Sequence, residues 1–123
     1  MTQKDKELLL KDLCTRLVYM PKVKITYQQQ GIKGTDEGNV SCDVIEKIVN
    51  DLRNGVITDM QIYLRPMQSM TEVERNIFDT MTRGYTIHQQ IALFDWLNAH
   101  HFDYRGLIPT GLALEAPEGM YKI

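Results

Sequence analysis

The sequence predicts an α+β domain with about four helices and a small sheet of two or three strands. Three observations lead there. Apolar residues recur at three- and four-residue spacing in four separate segments, the period of a helix with one buried face. Two further segments are rich in β-branched residues, and glycines and prolines punctuate the chain between elements. At 123 residues the chain is one domain's worth, long enough to bury a real core.

Residues 3–17 read as the first helix, with Leu9, Leu10, Leu13, Cys14 and Leu17 on one face and Pro21 closing the segment. Glu7–Lys11 and Asp12–Arg16 stand at i,i+4 with the acid first, the favourable order on a solvated face. Val23-Lys24-Ile25-Thr26-Tyr27 alternates apolar and polar residues as a strand does. Residues 31–39 hold three glycines with Asp36 and Glu37 and read as a mobile loop. Ser41 or Asp43 can cap a second helix near 42–53, stopped by Gly55, although the stretch could also begin as a strand at Val40. Residues 56–64 form a strand that ends before Pro66. Thr71 with Glu74, or Ser69 with Glu72, makes a capping box for a third helix reaching Arg83. Thr86 with Gln89 opens a fourth reaching His100, whose Ile87, Ile91, Phe94 and Leu97, widened by Leu93 and Trp96, predict a buried stripe and a central place in the core. From 106 to 123 Pro109, Gly111, Pro117 and Gly119 predict an irregular C-terminal arm, in which Leu112-Ala113-Leu114 adds a short strand or packs as extended chain.

Composition excludes several function classes. Hydrophobic content of 43% with 24% charged residues is that of a globular protein. No apolar run exceeds four residues, far short of a membrane span, and the N-terminal residues lack a secretory cleavage site. A cytoplasmic protein is the expectation. Cys14 and Cys42 form no C-x-x-C pair and predict reduced thiols, at least one of them buried. The net charge of −2, with no run of three basic residues, makes nucleic acid an unfavoured partner. Any such contact falls to Lys22, Lys24, Lys33 and Arg65.

Nothing fixes a reaction. No G-x-S-x-G elbow, phosphate-binding G-x-x-x-x-G-K or H-E-x-x-H is present, and no cofactor motif appears. His88, Asp95, His100, His101 and Asp103 crowd one region, and His100, His101 and Asp103 are the set on which a small metal-dependent hydrolase would rest. His88 and His100 would nevertheless lie about 18 Å apart along one helix. The plainer reading has His100 or His101 capping the last helical carbonyls. The densest recognition chemistry is Trp96, His101, Phe102, Asp103, Tyr104 and Arg105, with Tyr85 and Tyr121 as outlying members. Aromatic rings and Arg are the usual anchors of protein interfaces. The alternative is that Trp96 and Phe102 are core, Asp103 caps a turn and Arg105 pairs with an acid.

Two phrases, Tyr63–Glu72 and Trp96–Ile108 with its continuation Gly111–Tyr121, cover about a third of the chain. They resemble phrases in small uncharacterised proteins of prophages and mobile elements of anaerobic gut bacteria. Gln68 departs from the Ser usual in the first phrase. The resemblance implies no activity or cofactor. It implies an accessory protein of a mobile element in the bacterial cytoplasm, and the aromatic and Arg density of 96–108 makes binding of a host or element-encoded protein the expected, non-enzymatic role.

Overall fold

Thr2 opens the first helix as the spacing of its neighbours demands. Its hydroxyl accepts from the Asp5 amide and the Asp5 carboxylate accepts from the Thr2 amide, which closes a capping box ahead of α1 (Gln3–Thr15). The computed structural model describes residues 1–121. After α1 and a 3₁₀ turn at Leu17–Tyr19 come β1 (Lys22–Gln29), β2 (Ile32–Asn39), α2 (Ile45–Arg53) and β3 (Ile57–Leu64). A second 3₁₀ turn, Met67–Ser69, leads to α3 (Glu72–Met81), α4 (Ile87–Ala99) and β4 (Ala113–Glu115). The class is α+β with four helices, as predicted.

The sheet has four strands rather than two or three, in the order β2-β1-β3-β4. The fourth position goes to β4, which pairs parallel to β3 through Ile62, Tyr63 and Leu64. The other addition is β2, which occupies the stretch read as a loop. Gln30 and Gly31 both take positive φ, at 53° and 80°. That is the geometry of a two-residue hairpin whose turn matches the twist of its strands. The Tyr27 ring covers Gly34 directly across the pair. An edge strand need not alternate apolar residues, and charges and glycines there discourage pairing with other chains. Those same residues are what made the segment read as a loop.

Only one face of the sheet is greasy. Val23 pairs with Ile62 and Ile25 with Met60. Leu9 and Leu13 of α1 and Leu52 of α2 join them in one buried cluster with Leu64, Leu107 and Leu112. On the other face Lys24 stands opposite Gln61, and the Tyr63 hydroxyl donates to Glu37 at 2.6 Å. That acceptor raises the phenol's pKa above its ordinary value.

Several helix details differ from expectation. Cys14 and Cys42 are both exposed. The inward face of α1 is Leu9, Asp12 and Leu13, with Arg16 just beyond and Leu10 and Leu17 packed against the core, so a buried polar pair shares that face while Cys14 lies outside it. Neither Ser41 nor Asp43 caps α2, whose N-cap position is Val44 and carries no side-chain hydrogen bond. Gly55, at φ 78°, does terminate it. Both later capping boxes are as predicted, Thr71 with Glu74 and Thr86 with Gln89.

The largest departure concerns α4. Leu97 is buried, but Ile87, Ile91 and Phe94 are not. Of the predicted stripe it is Leu93, Trp96 and Leu97 that face inward, with Trp96 half-buried and stacked on Phe78 of α3 at 6.5 Å. The α3–α4 hairpin therefore packs mainly on itself and on the turn that follows it, not over the sheet.

Candidate functional site

The segment after α4 is built around a buried charge cluster. Arg16 reaches Asp12, one turn earlier, through Nε and Nη2 at 2.9 and 3.0 Å, and both residues are fully buried. The same Nη2 donates to the Phe102 carbonyl at 2.8 Å, which ties α1 to the turn. Arg105 then closes on Asp12 from the other side, Nε to Oδ1 at 3.0 Å. One carboxylate thus holds two guanidiniums, and both lie near the Tyr104 ring, with ring-centre distances of 5.0 and 5.3 Å.

The turn is locked at each residue that the sequence singled out. His101 takes φ 61° and its carbonyl accepts from the Arg65 amide at 2.7 Å. The Asp103 amide returns a bond to the Arg65 carbonyl, so Phe102 bridges in parallel to the end of β3. The Asp103 carboxylate accepts from the Leu107 and Ile108 amides at 2.8 and 2.9 Å, the turn cap expected of it. Phe102 is fully buried beneath the Arg65 guanidinium, 4.2 Å from its ring centre. Tyr104 donates to Asn98 at 2.8 Å, and its ring meets Phe94 edge-on at 5.3 Å.

His101 stacks on Tyr121 with ring centres 3.5 Å apart. The Tyr121 hydroxyl accepts from the Lys22 amide and donates to the Tyr63 carbonyl, stapling the C-terminal arm across β1 and β3. Burial pushes the Tyr121 phenol up to about 12. Burial, then the nearby Arg16 and Arg65, pulls His101 down to about 4, so the ring is neutral at pH 7. Its Nδ1 and the Arg16 Nη1 are buried without a hydrogen-bond partner among the described residues.

The metal reading fares poorly on geometry. The Asp103 carboxylate is committed to two amides, and His100 Nδ1 donates to the Trp96 carbonyl at 2.9 Å, capping α4. Among the described residues no three His, Cys, Asp or Glu side chains converge as a metal ion requires. Of the basic residues considered for nucleic acid, Arg65 is held by both oxygens of Glu74 at 2.7 and 2.8 Å. This pairing keeps the Glu74 carboxyl down at about 2. Lys22 and Lys24 lie half-buried on β1, and Lys33 is exposed on β2.

Two surfaces remain. One is a cleft of about 850 Å³ between α3 and the 115–121 arm, with the Arg65–Glu74 pair, His100 and Tyr121 among its walls. The other is the outer side of α4. Ile87 is 73% exposed, Ile91 51% and Phe94 48%, and Tyr85, just before the helix, is 94% exposed. Residues 87, 91 and 94 fall within about 60° of arc on a helix, so they form one stripe. The stripe runs into Tyr104 through Phe94. No helix among the described residues is long and apolar enough to cross a membrane. No family model, curated protein or solved structure matches the chain.

Proposed function

We propose that this is a non-enzymatic protein-binding module that engages its partner with the outer face of α4, continued by Tyr85 and Tyr104. The observation that carries the reading is the exposed Ile87–Ile91–Phe94 stripe. A helix with apolar residues on both sides is ordinarily buried on both sides, and α4 covers only one of them within this chain. Covering the other side would bury three large side chains, each contributing roughly 1–2 kcal/mol beyond its present half-burial. The surface lies beside the Trp96–Arg105 segment that the aromatic density marked. Most of that segment serves the scaffold instead. His101, Phe102 and Asp103 are buried and hold the turn in place, while Tyr104 is shared between the scaffold and the surface. The resemblance to mobile-element proteins supports an accessory role in the bacterial cytoplasm, with a host or element-encoded protein as partner.

The cleft beside α3 is the weaker candidate, because its strongest charges, Arg65 and Glu74, already satisfy each other. The test is affinity capture from cells with wild type and Ile91→Glu, after circular dichroism shows that both are folded. A protein retained by wild type and lost by Ile91→Glu supports the reading. Identical retention by the two contradicts it.

A further inference from the structure

The outer face of α4 carries more than grease. His88 and Asp95 are both exposed, and neither takes part in an ion pair among the described residues. They stand seven residues apart, so they lie on the same flank, about 80° round the helix from the stripe. The stripe itself has four- then three-residue steps, Ile87–Ile91–Phe94, the spacing of a coiled-coil seam. His88 and Asp95 then take equivalent flanking positions in successive heptads.

A two-fold axis between residues 91 and 92 sets a second α4 antiparallel on the first. His88 of each copy then lies level with Asp95 of the other. Ile91 meets its counterpart at the axis, and Ile87 packs towards Phe94 of the second copy. Tyr85, the most exposed aromatic residue in the chain, reaches the end of the second copy's stripe at Tyr104. Each donor meets an acceptor and each contact occurs twice, as an isologous interface requires. We infer that the occupant of the α4 face is a second copy of this chain, paired antiparallel through α4 with reciprocal His88–Asp95 contacts. The inference rests on the binding role given to that face and names its partner. A 13-residue helix gives a small interface, so the dimer is a weak, concentration-dependent one.

Sedimentation equilibrium of the full chain tests it, on wild type, Ile91→Glu, His88→Glu, Asp95→Lys and the His88→Glu/Asp95→Lys double variant. Wild type is expected to shift with concentration from 14.3 kDa to twice that mass, and Ile91→Glu to remain monomeric. His88→Glu sets two carboxylates opposite one another twice and should weaken the dimer about tenfold. Asp95→Lys removes the carboxylate that accepts from His88 twice and should weaken it as well. The double variant sets Glu opposite Lys only across the antiparallel pair and should recover near-wild-type affinity. A wild type that stays monomeric to millimolar concentration overturns the inference. So does a dimer indifferent to Ile91→Glu, or a double variant no better than either single one. If wild type is monomeric yet captures another protein in an Ile91-dependent way, self-pairing fails and the binding role stands. If capture also ignores Ile91→Glu, both fail.

Discussion

Asp12 is the residue on which the interior of this protein turns. Its carboxylate is fully buried and neutralises Arg16, also fully buried, while Arg105 supplies a second, partly solvated guanidinium. Removing one partner of a buried pair leaves the other charge uncompensated, a penalty of about 3–5 kcal/mol. Asp12→Ala should therefore unfold the protein or lower its stability by that amount in urea titration. Arg105→Ala should cost only about 1 kcal/mol, since Arg105 is partly exposed and Asp12 keeps Arg16. His101 gives a second prediction. Its folded pKa of about 4 lies below the ordinary 6.5, so between those values the unfolded chain binds the proton and the folded chain does not. Stability is fully present above about pH 6.5 and falls as the pH drops towards 4, by about 2 kcal/mol from this group. His101→Asn tolerates the positive φ and cannot titrate, so its stability should change less than wild type's between pH 7 and pH 4.5. An equal loss in both would remove His101 from the acid response. These roles are only half legible in the sequence. Asp12–Arg16 reads as an ordinary surface i,i+4 pair, and nothing local reveals that Arg105 and the Phe102 carbonyl close over it. The Asp103 cap and the His100 cap are readable, because each acts within a few residues of its own position.

Element by element, legibility follows how local the determining physics is. The boxes Thr71–Glu74 and Thr86–Gln89 depend on residues three apart and are found where the sequence places them. Thr86→Ala should destabilise by about 1 kcal/mol in thermal or urea unfolding, through loss of the acceptor for the Gln89 amide. No change would show that the Gln89 side chain, accepting from Tyr85 and Thr86, holds the helix start alone. β2 is hidden because its pairing is to β1 and its side chains bury almost nothing. β4 is ambiguous because a three-residue parallel strand depends on β3, some fifty positions earlier, for all its pairing. For α4 the period is right but the stripe is too wide, since only Leu93, Trp96 and Leu97 of it face inward. Apolar positions surround the helix, so periodicity alone cannot say which of them the rest of the chain covers.

At the scale of the molecule, that ambiguity is informative. A sheet with one covered face, two helices on it and a hairpin standing off on a charge-locked turn leaves α4 with a rigid base and an uncovered apolar side. Sites held by rigid elements are well suited to recognition, and departures from local sequence rules tend to fall at functional surfaces. Trp96 and Phe102 stand out in the sequence for their chemistry, yet they build the base, whereas the stripe that looks like core is the exposed surface. The most direct measurement places photo-reactive p-benzoylphenylalanine in cells at Ile91, and as a control at Thr58 on β3, which is also exposed. Protein adducts are expected from position 91 and none from position 58. Irradiation that leaves both positions without adducts, or labels both alike, would contradict a binding role for the outer face of α4.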